Sequence, residues 1–220
     1  MKAHASNRDA GGFTLLEGLV LIAIILVLMT LSIPVKDRST KSTVVTCISN
    51  QRRITIGQFM WASDHSDTYP WRVATDKGGT LDFAANGDAA SHFQVLSDYN
   101  LKPKYLICPT DSTRVEATSF AALGNSNLSY FVNLDATTNN AQIILTGDRH
   151  LQVNGQPVKP GLLVPGRNAA IGWTRELHAK DAKVPLGVLS FTDGHAEAVK
   201  EKLTAYFARQ HQVTNHFAIP

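Results

Sequence analysis

The chain has 220 residues, of which 44% are apolar and 18% charged, with a formal net charge of +3. So small an excess excludes a basic nucleic-acid surface, and neither an internal repeat nor a low-complexity tract is visible. The part after Pro34 is long enough for one domain with a sizeable core.

Residues 1–12 form a short polar leader carrying Lys2 and Arg8. From Phe13 to Ile33 follow 21 residues of apolar character, which as an α-helix would be about 31 Å long, the thickness of a hydrocarbon core of about 30 Å. The exception is Glu17, because an ionised carboxylate there costs roughly 2.5–3.5 kcal/mol and asks for a partner. The apolar run exceeds the roughly 7–15 residues of a secretory signal peptide, and Thr30 to Pro34 is a poor small-residue cleavage site. Lys36, Arg38 and Lys41 outnumber Lys2 and Arg8, so charge does not place the amino terminus in the cytoplasm. No later apolar run is long enough for a second span.

Gly12-Phe13, the Thr14-Leu-Leu-Glu17 run and the apolar segment behind it resemble the class III leader of type IV pilins and type II secretion pseudopilins. The resemblance implies cleavage by a prepilin peptidase between Gly12 and Phe13 and N-methylation of Phe13. It makes Glu17 the assembly residue, its carboxylate lying beside the freed amine of a neighbouring subunit, so that each charge offsets the other's desolvation. Pro34 falls where these proteins commonly kink the helix.

From residue 35 to 66 the pattern stays helical. Val44, Val45, Ile48, Ile56, Phe59 and Met60 recur at three-to-four spacing with Lys41, Asn50, Arg52 and Arg53 between them, which predicts an amphipathic continuation of the membrane helix. Asp64 to Pro70 ends it with turn formers and a proline. Residues 67–220 are the globular head. Residues 78–98 read as loop, with a helical turn at His92 to Leu96. Short strands are predicted at 105–107, 128–132, 141–146 and 188–192, the last joined through the two-residue turn Asp193-Gly194 to a strand at 195–199. Alternation puts Leu189 and Phe191 on one face, and Lys200 to Gln210 reads as a final helix with Leu203, Tyr206 and Phe207 on its apolar side. A long helix on an antiparallel sheet is α+β.

Further motifs resemble a subfamily of prepilin-type proteins with globular heads: Cys47-x-x-Asn50-x-Arg52-x-Ile54, Ile107-Cys-Pro-Thr-Asp111, Ser129-Tyr-x-x-Asn133 and Phe191-Thr-Asp-Gly-His195. His178 departs from the pattern, standing farther before Asp193-Gly194 than is usual there. With the head outside the cytoplasm, as the resemblance implies, a Cys47–Cys108 disulfide is permitted and would add about 4 kcal/mol by chain-entropy reasoning. Two buried thiols are the alternative. Cysteines so far apart, with no Cys-x-x-Cys, do not read as a zinc site.

His178, Asp193 and His195, joined by Asp148-Arg-His150, are the conceivable metal ligands of an enzymatic head, but Asp193 is explained by the turn, and no nucleophile elbow or phosphate-binding loop occurs. The acidic loop Asp64 to Asp67 lacks the ligand spacing of an EF-hand, so calcium is at most a minor expectation and no other cofactor is implied. Trp61, Tyr69, Trp71 and Trp173 read as packing residues. The expectation is therefore a non-enzymatic pilin or pseudopilin-like subunit, single-pass in the inner membrane before assembly, with its head in the periplasm or outside the cell. Its partners would be the peptidase, other subunits, inner-membrane lipid and a secretion or pilus assembly platform, not nucleic acid. The alternative is a membrane-anchored extracytoplasmic binding protein or metal-dependent enzyme with the same leader.

Overall fold

The computed structural model describes residues 14–31, 40–166, 168–178, 184–200, 203–204, 206 and 215–220. The chain divides between Arg38 and Ser39 into two units. Helix α1, Leu15–Leu31, lies in the first and has 17 residues, or about 26 Å at 1.5 Å per residue. From Leu15 to Leu28 its Leu, Ile and Val side chains are exposed on every face of the helix. Among the described residues no helix is long and apolar enough to cross a membrane. Gly12, Phe13, the residues 32–34 that would complete the predicted span, and the predicted continuation across 35–39 lie outside the described residues.

The second unit begins with helix α2, Thr40–Asp64, 25 residues long. Its buried face includes Val44, Cys47, Gln51, Ile54, Gln58 and Trp61, a three-to-four spacing. This corrects the predicted stripe: Val45, Ile56 and Met60 are exposed, while Asn50 is buried. Polar residues win the inward face because each finds a partner there. Gln51 Nε2 donates to the Val188 carbonyl at 2.9 Å, Thr146 Oγ1 donates to Gln51 Oε1 at 3.2 Å, and Asn50 Nδ2 donates to the Ile107 carbonyl at 3.1 Å. Each bond meets the demand that buried polar groups be satisfied.

After α2 come two short helices, α3 (Leu81–Ala84) and α4 (Ala89–Gln94), the second capped by Asp88, whose side chain accepts from the Ala90 N–H. Both lie in the stretch 78–98 read as loop, and α4 covers the start of the turn expected from His92. The strand predicted at 105–107 is instead the 3-10 turn Pro103–Leu106, because Pro103 presets a helical φ and offers no ladder donor.

Among the described residues nine strands follow: β1 Tyr130–Asn133, β2 Ile144–Asp148, β3 Leu151–Val153, β4 Gln156–Pro157, β5 Gly161–Leu163, β6 Ile171–Trp173, β7 Gly187–Phe191, β8 Ala196–Val199 and β9 Phe217–Ile219. Six make one sheet in the order β5-β9-β1-β2-β7-β8, and β4-β3-β6 make a second. Every pairing is antiparallel. The fold is thus α+β with an antiparallel sheet.

Alternation along the strands feeds two cores. Tyr130, Val132, Leu145 and Val188 join α2, Trp61, Tyr69 and Trp71 in the first, whereas Phe131, Ile144, Leu189, Phe191, Phe217, Ile219 and Trp173 form the second. Leu189 and Phe191 share a face, as alternation requires. Gly147 is needed where these layers close, since a Cβ there would sit 2.6 Å from both Phe131 and Leu189. The predicted helix at 200–210 lies mostly outside the described residues; within it Leu203 is buried and Tyr206 packs on the second core.

Candidate functional site

Three of the sequence motifs converge beneath α2. Cys47 stands on the inward face of that helix, Cys108 opens the turn after the 3-10 segment, Asp148 ends β2, and His178 follows β6. Their Sγ, Sγ, carboxylate and imidazole atoms all lie within 4.8 Å of one another. The wide spacing that argued against a shared site in the sequence is closed by the fold.

The contacts are specific. The Cys47 thiol lies 3.2 Å from Asp148 Oδ1 and 3.3 Å from the Tyr130 hydroxyl. Cys108 Sγ lies 3.3 Å from His178 Nε2, and the same nitrogen is 3.3 Å from Asp148 Oδ2. Around them the Val188 N–H donates to Asp148 Oδ2 at 2.7 Å, Gln51 Nε2 reaches Oδ1 at 3.5 Å, and Thr110 Oγ1 sits 3.4 Å from His178 Nδ1. Cys47, Cys108 and Asp148 are fully buried and His178 is 2% exposed. The two sulfurs lie within 4.8 Å of each other and are not bonded in this structure.

The second turn of this region is held by a salt bridge. Arg149 grips Asp111 through two nitrogens, at 2.8 and 3.0 Å, and also contacts Glu176, while Ser129 Oγ donates to Asp111 at 2.9 Å. A bidentate guanidinium–carboxylate pair fixes geometry as well as energy, and here it fixes the turn that carries Cys108. His178 itself has φ 51°, a left-handed conformation rare in residues other than glycine.

The electrostatics separate the two sulfurs. Burial holds the Cys47 thiol well above its ordinary range, helped by its hydrogen bond to Cys108 and the Asp148 charge. Cys108 is pulled down to about 6, first by the hydrogen bond from Cys47 and then, against burial, by His178. Burial works against the His178 cation, yet its bonds to Asp148 and Cys108 raise it to about 10. Both shifts favour the charged forms of Cys108 and His178.

Other predicted residues sit elsewhere. Asp193 and His195 stay on the hairpin between β7 and β8, Asp193 Oδ1 accepting from the His195 N–H at 3.0 Å and lying 2.7 Å from its Nδ1. They do not join His178. His150 stacks on Trp173 and bonds the Leu186 carbonyl, so of the Asp148-Arg-His150 run only Asp148 enters the cluster. Asp64 accepts from the Tyr99 hydroxyl at 3.0 Å.

On α1, Glu17 has an unforeseen local role. Its Oε2 accepts from both the N–H and the hydroxyl of Thr14 at 2.9 Å, and the Glu17 N–H reaches Thr14 Oγ1 at 3.3 Å. That is a capping box, legible in the sequence as Thr14-Leu-Leu-Glu17.

No family model, curated protein or solved structure matches the chain. The chemical reading of the cluster thus rests on its own geometry: two sulfurs, an imidazole and a carboxylate, able to share protons, form a disulfide or hold a metal ion.

Proposed function

We propose that the chain is a prepilin-like structural subunit, inserted in the membrane, cleaved between Gly12 and Phe13 and assembled through its amino-terminal helix into a filament of the type II secretion or type IV pilus kind. The observation that carries this reading is α1. A helix apolar on all sides needs an apolar surround, whether lipid or neighbouring helices, and its one acid stands in the first turn. A long helix packed on an antiparallel sheet supports a pilin-type head. The leader motif supports the cleavage site, the inner-membrane location and the peptidase as partner.

Glu17 then has two duties, capping its own helix and pairing with the amine of the next subunit. Co-expression with a prepilin peptidase should yield a chain lacking residues 1–12 and carrying an added methyl group by intact mass; an unprocessed chain overturns the proposal. Glu17→Gln keeps the capping box, which accepts Gln as well as Glu, but removes the charge. Filament assembly should fail in this variant although cleavage continues, and unimpaired assembly would leave Glu17 only its capping role.

A further inference from the structure

We propose that Cys47, Cys108, Asp148 and His178 form a structural zinc site. Two thiolates, an imidazole and a carboxylate are a zinc-type donor set, and soft sulfur ligands disfavour magnesium or calcium. A tetrahedron with bonds of about 2.0–2.3 Å has donor–donor edges of about 3.3–3.8 Å. Two edges already come close, 3.3 Å from Cys108 Sγ to His178 Nε2 and 3.3 Å from that nitrogen to Asp148 Oδ2, while Cys47 Sγ lies 3.2 Å from the other carboxylate oxygen, Oδ1. Every donor pair lies within 4.8 Å, so the widest would have to close by about 1 Å to reach a tetrahedral edge.

The outer layer is also that of a metal centre. Ligating histidines use their second ring nitrogen for a hydrogen bond, and ligating carboxylates are themselves hydrogen-bonded. Thr110 Oγ1 stands 3.4 Å from His178 Nδ1, and the Val188 N–H and Gln51 amide hold the Asp148 carboxylate. The Tyr130 hydroxyl lies 3.3 Å from Cys47 Sγ, placed to offset the negative charge of a thiolate-rich complex. Four donors drawn from a helix, two loops and a strand would be tied at one point. Because all are buried and protein supplies every ligand, no position is open to substrate, which marks a structural rather than a catalytic site. Binding displaces the remaining thiol and imidazole protons to solvent; nothing is oxidised or reduced. The left-handed backbone at His178 is accounted for as the conformation that turns its ring into the cluster.

The test uses the full chain in mild detergent with reductant. Zinc measured by elemental analysis should be stoichiometric with protein after metal stripping and incubation with zinc. Cobalt in its place should give a thiolate-to-cobalt charge-transfer band that falls to about half or less in Cys47→Ser and in Cys108→Ser and is absent from the double variant. Thr110→Val should keep the site but weaken zinc affinity by about 10–100-fold. Should the cysteine variants misfold, the wild type alone decides: zinc, but not magnesium, should raise its Tm. Failure of the stripped, folded wild type to take up zinc or cobalt overturns the proposal, as does a Cys47–Cys108 disulfide, two hydrogens lighter, in chain isolated from its native host. None of these outcomes bears on leader cleavage or Glu17, so the zinc site stands or falls apart from the filament reading.

Discussion

Replacing Asp148 with Asn probes the centre of the buried network. The side chain keeps its shape, but one carboxylate oxygen becomes a donor. If the remaining oxygen stays with the Val188 N–H and His178 Nε2, now at 2.7 and 3.3 Å, the new NH2 faces Gln51 Nε2, another donor, at the 3.5 Å contact. His178 loses its buried counter-charge at the same time. Removing one member of a buried ion pair costs about 3–5 kcal/mol, and the bonds to a charged acceptor account for about 1.5–3 kcal/mol each. Against a total stability of about 5–15 kcal/mol, a loss of about 3 kcal/mol is severe. At about 2–4 °C per kcal/mol for a domain of this size, Tm should fall by about 6–12 °C. The assay is thermal and urea unfolding of the full chain with reductant and a chelator, so that only the protein network is read. A fall below about 2 °C would refute the claim that Asp148 holds this region through charge.

Three further outcomes are expected. His92 is buried and bonded through Nδ1 to Thr80, and burial lowers its pKa to about 4 despite the Asp88 charge; the unfolded chain therefore binds its proton first, so stability is full above about pH 6.5 and is lost as pH falls toward 4. That is about 2 kcal/mol at pH 5, and a His92→Gln variant with the same pH dependence between 7.5 and 5 as wild type would contradict it. Gly194 has φ +90°, with the nearest side-chain atom, on Phe59, 3.7 Å from where a Cβ would stand; Gly194→Ala should therefore cost about 1–2 kcal/mol through backbone strain alone, measured by urea unfolding. Arg149→Met should free Asp111 and loosen the Cys108 turn, seen as faster alkylation of Cys108 than in wild type; equal protection in variant and wild type would show that the salt bridge does not hold the turn.

Much of the secondary structure was legible locally. The apolar run containing α1, the turn formers ending α2 and the Asp193-Gly194 hairpin each follow from residues adjacent in sequence, and period-two alternation sorted Leu189 and Phe191 correctly. The inward face of α2 was not legible, because hydrophobic periodicity cannot know that Gln51 and Gln58 will meet carbonyls on β7 and α4. Nor was β9 foreseen: its three residues are held by pairing with β5 and β1, neither of them its neighbour in sequence.

The sequence by itself determined where the apolar helix lies, that an acid stands in its first turn, and that an α+β head follows, since these depend on composition, spacing and turn chemistry within a few residues. Only the tertiary structure decided that Cys47, Cys108, Asp148 and His178 share one buried point. Their separations of 30 residues and more carry no local signal, and it takes α2 packed across β7, with the Asp111–Arg149 clamp on the intervening turn, to bring the four donors together.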